Sequence, residues 1–282
     1  MSTIVFLDTR GEKLPKAARE AVTYASQLAG GPVTAVTFGD AQGLETLGAQ
    51  GAGKVIVARG LKTVDGQQLT RLVADVATKE HADTIVCVHD ATGKTVAPRV
   101  AVRLKAGHVA GVTGLPEGGL FRRNVFSGKA RAFVEVKSPV KVLSLMPNSI
   151  AVGTGTNSAT VEEYAGDPGP GRITVKEVRK AGSGVPLPEA DLVVSAGRGM
   201  KGPEHWGLVE ELAKELGAAT AKVSPVVRGA STDALGGGII DNTDGSLELN
   251  LNLLIDDAAI SGAAAFTVNG VVHIAYIVLG DD

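Results

Sequence analysis

Apolar runs and amphipathic stripes alternate along the first hundred residues. Short runs at Thr3 to Leu7, Val33 to Phe38, Lys54 to Val57 and around Cys87 predict buried strands. Between them, helical spacing predicts a helix over Lys16 to Leu28, a short one over Gln42 to Leu47, and a third over about Gln67 to Thr78. The third carries Leu69, Leu72, Val73 and Val76 on one stripe. Such alternation predicts an α/β fold, a parallel sheet with flanking helices. Around Gly107 the character changes. Gly111 to Leu115, Leu120 to Phe126, Ala130 to Val136 and Val140 to Leu145 read as successive strands joined by glycine-containing turns, an antiparallel extension of the sheet. Glu163 to Gly171 reads as an exposed connection, and Arg172 to Val178 as a further strand.

The interruption Gly-Ser-Gly-Val-Pro-Leu-Pro, between Ala181 and Glu189, predicts a domain boundary, with an N-terminal α/β domain over 1–185 and a second, smaller α/β domain over 186–282. The second opens on Asp191-Leu-Val-Val-Ser-Ala-Gly-Arg-Gly-Met-Lys-Gly-Pro-Glu204, a strand, a glycine-rich bend and a helix start. Gly197 and Gly199 permit a tight turn with close backbone approach, and Pro203 suits a first helical turn. Free amides there would face an anion, with Arg198 beside them, although an ordinary strand-to-helix turn has the same local pattern. The helix is expected over about Pro203 to Leu216, with Trp206 on its core-facing stripe and Gly217 just past its end. In the tail, Leu247, Leu249, Leu251 and Leu253 alternate as in a strand, and Asn269-Gly270 between apolar runs predicts an antiparallel β-hairpin.

The chain has 282 residues, 44% of them hydrophobic, which is enough for two domains with cores of their own. A formal net charge of -2 gives no electrostatic basis for wholesale binding to nucleic acid or to an anionic membrane surface. The N-terminus reads as a first strand and not a signal peptide, and no apolar stretch is long enough to span a bilayer. A cytoplasmic location is expected, or the mitochondrial matrix in a eukaryote. One cysteine, Cys87, excludes an internal disulfide.

Asp90-Ala-Thr-Gly-Lys-Thr95 resembles part of a P-loop, but Val88 stands where the first glycine would be, so it reads as a structural loop. The five histidines have neither the spacing nor the acidic partners of a metal site or triad. Arg122, Arg123, Lys129 and Arg131 form a basic cluster, which reads first as a solvated face. No activated nucleophile or paired acid and base is evident.

Several longer motifs resemble the alpha subunit of electron transfer flavoproteins. They are Ala91-Thr-Gly-Lys-Thr-Val-Ala-Pro-Arg-Val-Ala-Val-Arg-Leu-Lys-Ala-Gly107, Arg123-Asn-Val-Phe-Ser-Gly-Lys-Ala130, Lys141-Val-Leu-Ser-Leu145 and, most specifically, the segment from Val194 to Ala213. The resemblance implies an electron carrier rather than a turnover enzyme, with FAD in its second domain, paired with a beta subunit and moving electrons from dehydrogenases to an acceptor. It implies Arg198, with Gly197 and Gly199, beside the flavin, and Ser261, Gly262 and Ala263 at the phosphate end. The family begins a helix at Ser261. Here Val223-Ser-Pro225 lacks the family's cation, Asn242 to Asn250 lacks its glutamine and lysine, and Ala264, Ala265 and Phe266 replace a polar end. A second expectation follows from those departures: a flavin-free interaction or scaffold protein that keeps the fold. A third is an adenine-nucleotide module using only the bend.

Overall fold

The computed structural model describes residues 2–10, 14–28, 30–126, 128–176, 187, 190, 192–196 and 205–221, with the backbone of 222, 262–268 and 272–278. The chain divides into two compact units, Met1–Lys176 and Glu177–Asp282. The α/β reading holds in both.

In the first unit the strands and helices expected up to Val88 form in order, and a further helix follows them that takes in Ala91 to Thr95 of the segment read as a loop. They are β1 (Thr3–Phe6), α1 (Lys16–Leu28), β2 (Val33–Phe38), a 3-10 helix (Leu44–Gln50), β3 (Lys54–Ala58), α2 (Gly66–Lys79), β4 (Thr84–Val88) and α3 (Ala91–Leu104). Then come β5 (Gly107–Val112), β6 (Leu120–Val125), β7 (Ala130–Glu135), β8 (Lys141–Leu145) and β9 (Thr160–Glu163). Together the strands make a nine-stranded sheet of order β7-β6-β5-β8-β4-β1-β2-β3-β9. Strand side chains alternate between faces, so each strand feeds two cores. Val5 and Leu7 pack with Val22, Tyr24 and Ala25 of α1, whereas Ile4 and Phe6 pack with Leu69, Leu72 and Val73 of α2 and Val96 and Val100 of α3. Burial on both faces explains why these strands read as unbroken apolar runs.

Three local expectations are corrected. β8 does not belong to the antiparallel extension; it lies parallel between β4 and β5, and the antiparallel pairings of this sheet are β5 with β6 and β6 with β7. Its run Val142, Leu143, Ser144 and Leu145 is buried on both faces, as an interior strand requires. β5 correspondingly starts at Gly107, not Gly111. Among the described residues, 172–176 form no strand; Ile173 and Val175 alternate but are 54% and 41% exposed, with no neighbouring ladder to join. The strand of this region is β9, parallel to β3.

Side chains of α2 fasten the segment after β9. Gln68 Nε2 donates to Gly169 O at 2.6 Å, Arg71 donates to Pro168 O at 2.7 Å, and the Asp65 carboxylate accepts from Arg172 N at 2.7 Å. Asp65 is also the N-cap of α2, accepting from Gln67 N at 2.8 Å and Gln68 N at 3.3 Å.

The second unit holds β10 (Leu192–Ala196), α4 (Gly207–Leu216), β11 (Ala219–Lys222), β12 (Gly262–Val268) and β13 (Val272–Val278). Its four-stranded sheet has the order β11-β10-β13-β12. β10 pairs in parallel with β11 and β13, while β12 and β13 form the antiparallel hairpin expected around Asn269-Gly270, whose turn lies outside the described residues. α4 opens at Gly207 and closes on Gly217 in a left-handed conformation. Val194 and Ala196 of β10 pack with Val209 and Ala213, and Trp206 packs against them, as its stripe position predicts. Apart from Leu187 and Ala190, residues 177–191 fall outside the described residues, as do the expected strand over Leu247 to Leu253 and all of Pro203. No helix of the described residues is long and apolar enough to cross a membrane.

Candidate functional site

Open α/β sheets bind ligands outside the carboxyl ends of their strands, at the point where the strand order reverses. In the first unit that point lies between β1 and β4. It is filled by the protein's own side chains. Asp8 accepts from Arg10 Nε at 2.8 Å and from a second guanidinium nitrogen at 2.7 Å, and Thr92 Oγ1 on α3 donates to the same carboxylate at 2.7 Å. The Arg10 guanidinium lies 5.6 Å from the centre of the Phe38 ring. Burial pushes the Asp8 carboxyl upward, but the hydrogen bonds from Arg10 and Thr92 and the Arg10 charge hold it below its ordinary value. Asp90 caps α3 by accepting from Gly93 N at 2.7 Å, and burial raises its pKa. Gly93 leaves no room for a side chain, because a Cβ there would run into Val88 O. The P-loop-like segment is thus a tightly packed strand-to-helix junction, and Val88 supplies a carbonyl where a phosphate cradle needs an amide.

The histidines contribute one local cluster. His89 Nδ1 lies 2.8 Å from Ser144 Oγ, which also accepts from Gly111 N at 3.2 Å. Burial first, then the charges of Lys94, His108 and Arg123, lower the His89 pKa. Burial and Arg123 lower that of His108. A surface hollow of about 470 Å³ lies beside α2 and Tyr164, where Tyr164 Oη donates to Asp75 at 2.8 Å and Lys79 bridges the same carboxylate at 2.8 Å.

The segment singled out by sequence falls in the second unit. Gly197, Arg198, Gly199 and Ser261 lie outside the described residues. Gly262 and Ala263 open β12, in register with Val278 and Ile277 of β13. The resemblance implies a helix start there; the chain forms a strand, because β12 zips onto β13 along seven registered pairs. Register still brings the two parts of the expected site to one edge. Ser195 of β10 aligns with Tyr276, and Tyr276 with Ala264, so Gly262 and Ala263 sit just beyond this row, toward the carboxyl end of β10. Two strand spacings, about 10 Å, separate β10 from β12.

Sequence reading did not single out Ser195 as a site residue. It is 3% exposed, and its hydroxyl has no hydrogen-bond partner among the described residues. Because Val194 and Ala196 face α4, strand alternation sends Ser195 to the opposite face of the sheet.

Residues 3–168 match the electron transfer flavoprotein domain, and residues 186–238 match the electron transfer flavoprotein FAD-binding domain. The chain belongs to the electron transfer flavoprotein family. It is 30% identical over 227 residues to the electron transfer flavoprotein subunit alpha of Bacillus subtilis, covering 77% of this chain and 70% of that one. With the alpha subunit of Syntrophomonas wolfei it shares 31% over 230 residues, covering 77% and 71%. A probable mitochondrial alpha subunit of Caenorhabditis elegans is 26% identical over 257 residues, covering 86% and 72%. The FAD-binding-domain match contains β10, the bend, α4 and β11, and it ends at 238, before the hairpin. On the β10 side of this edge the fit to a flavin rests on the Ser195 hydroxyl, which has no partner among the described residues. On the β12 side the fit rests on Gly262 and Ala263 in a strand, without a helix dipole.

Proposed function

We propose that this chain is an alpha-type subunit that binds FAD in its second domain, residues 186–282, and carries electrons from dehydrogenases to an acceptor, paired with a beta-type subunit. The observation that carries the reading is the FAD-binding-domain match over 186–238, which spans the strand, bend and helix around Ser195. Gly197 and Gly199 let the backbone approach the cofactor, and Arg198 places a cation beside the flavin ring. Ser261 offers a hydroxyl, and Gly262 and Ala263 a short backbone edge, at the phosphate end. Bound FAD supplies the redox chemistry, accepting and releasing one or two electrons. The protein's part is to position it, to exclude water, and through Arg198 to favour a negative charge on the ring.

A second reading is favoured by one observation: Gly262–Val268 is a strand where the resemblance implies a helix start. On that reading the chain is a flavin-free interaction or scaffold protein. The two readings separate on one measurement. The chain is co-expressed with its beta-type subunit, supplied with FAD, desalted and scanned for visible flavin absorbance. The FAD reading expects flavin at about one equivalent per chain, with Arg198→Ala weakening its retention about tenfold or more. Absence of flavin from the wild-type complex refutes it and leaves the scaffold reading.

A further inference from the structure

Where β4, β5, β6 and β8 come together in the first unit, basic side chains gather without a counter-charge. His89 stands just past β4, and its Nδ1 lies 2.8 Å from Ser144 Oγ on β8. Ser144 Oγ also accepts from Gly111 N of β5 at 3.2 Å, which leaves its own proton for His89 Nδ1. The neutral His89 ring then carries its proton on Nε2, as a donor. That nitrogen faces the space over Gly111, where a Cβ would sit 3.6 Å from it and 3.7 Å from Met146 Sδ. Gly111 lies in the irregularity that separates Val109 from Val112 on β5. His108 comes just before this irregularity, and Arg123 of β6 is in register with Val112, just after it.

Two nitrogens here, His108 Nε2 and Arg123 Nε, are buried and have no hydrogen-bond partner among the described residues. None of His89, Lys94, His108 and Arg123 forms an ion pair among those residues. The carboxylate next in sequence, Asp90, is engaged at α3, where it accepts from Gly93 N at 2.7 Å. The charges that bear on the His89 ring, those of Lys94, His108 and Arg123, are all positive, and Arg123 bears on His108 in the same sense. Buried donors left open among like charges are costly, and an anion relieves both costs at once.

We propose that His89, His108 and Arg123 form a binding site for a phosphate group, with exposed Lys94 of α3 adding its charge at the rim. The three residues are partly exposed, so a small anion reaches them from solvent. Arg123 offers a planar fork of donors that suits two phosphate oxygens, and the two imidazoles offer N–H donors to the others. A dianion beside the rings reverses the sign of their surroundings, so binding draws protons onto them. The site lies in the first unit and is independent of the FAD reading.

The test is a titration of the full chain with inorganic phosphate at fixed pH and ionic strength, followed by proton–nitrogen NMR of the imidazole rings. His89→Gln and His108→Gln assign the two signals, and exposed His81 is the control. The expected result is a saturable shift of the His89 and His108 signals at about millimolar phosphate or below, with His81 unmoved. Arg123→Gln should weaken binding about tenfold, and Lys94→Gln, on the exposed face, should weaken it less. Sulfate, a tetrahedral dianion that does not titrate near neutrality, should bind about fivefold tighter or more at about pH 6 than at about pH 8. Phenyl phosphate identifies the source: tighter binding than inorganic phosphate marks the group as part of a larger ligand, and weaker binding marks the free ion. No saturable shift in the wild type, or a parallel shift of His81, overturns the proposal. So does phosphate affinity that neither variant changes, or sulfate affinity indifferent to pH.

Discussion

Replacing Asp65 by alanine removes one carboxylate that serves two segments. Oδ1 caps α2 through Gln67 N and Gln68 N, and Oδ2 holds the backbone of Arg172, 107 residues away in sequence. Loss of an N-cap costs about 1 kcal/mol, and a charge-assisted hydrogen bond to a partly exposed amide about 1.5 kcal/mol more. Because Gln68 and Arg71 continue to hold Gly169 and Pro168, the segment is loosened at one point and not released. Asp65→Ala should therefore destabilise the first unit by about 2.5 kcal/mol, which lowers its transition by about 5–10 °C. Asp65→Asn separates the two roles. Its amide oxygen can keep the cap, but its NH2 group then faces the Arg172 N–H donor, so it should lose about half as much. Urea denaturation followed by far-ultraviolet circular dichroism gives both values. Hydrogen exchange should show faster exchange at Arg172 in both variants, and at Gln67 and Gln68 only in the alanine variant. Equal destabilisation by asparagine and alanine, or a loss below about 0.5 kcal/mol for alanine, would refute the double role.

Three further outcomes follow from the same geometry. Gly93→Ala places a methyl against Val88 O at the start of α3 and should cost about 2–3 kcal/mol; a variant as stable as wild type in calorimetry contradicts that packing. His89 and His108 both have pKa values below the ordinary 6.5, so the unfolded chain takes up protons before the folded one does. Their contribution to stability is present above about pH 6.5 and is lost as pH falls through the lower folded values, and a double glutamine variant should flatten that part of a stability-versus-pH curve. The Cys87 thiol is fully buried and burial raises its pKa, so iodoacetamide should leave it unmodified in the native protein and label it in denaturant; labelling of the native chain would place it elsewhere.

Much of the fold was legible because periodicity reports which faces are buried. Leu69, Leu72, Val73 and Val76 announce α2, and the run around Cys87 announces β4. Strand partners were not legible. Nothing in Lys141 to Leu145 says that it slips between β4 and β5, because pairing order is decided by the whole sheet and not by local pattern. β9 was missed for the opposite reason: Thr160, Val161, Glu162 and Glu163 are all exposed and show no apolar alternation, and the strand is held by its ladder to β3 and by Lys54, whose ammonium lies 2.7 Å from Glu80 and 3.9 Å from Glu162. Ile173 and Val175 mislead in the reverse direction, alternating without a partner strand. At the candidate site the bend glycines and Arg198 are visible as letters. The burial of Ser195 is not, since it depends on what packs over β10.

The placement of β8 also constrains the order in which the first unit can assemble. β5 pairs with β8 and β6 but not with β4, so the hairpin β6-β7 and its neighbour β5 have no place on the sheet until residues 141–145 exist. During synthesis the first four strands can pair among themselves while β5 to β7 wait as a detached meander, attached only through α3. β8 is the strand through which all three join β4, and β9 forms the opposite edge of the sheet. A chain that stalls before residue 145 would leave three unsupported strands exposed, so the stretch from Gly107 to Leu145 is the part of this unit most dependent on rapid completion of synthesis.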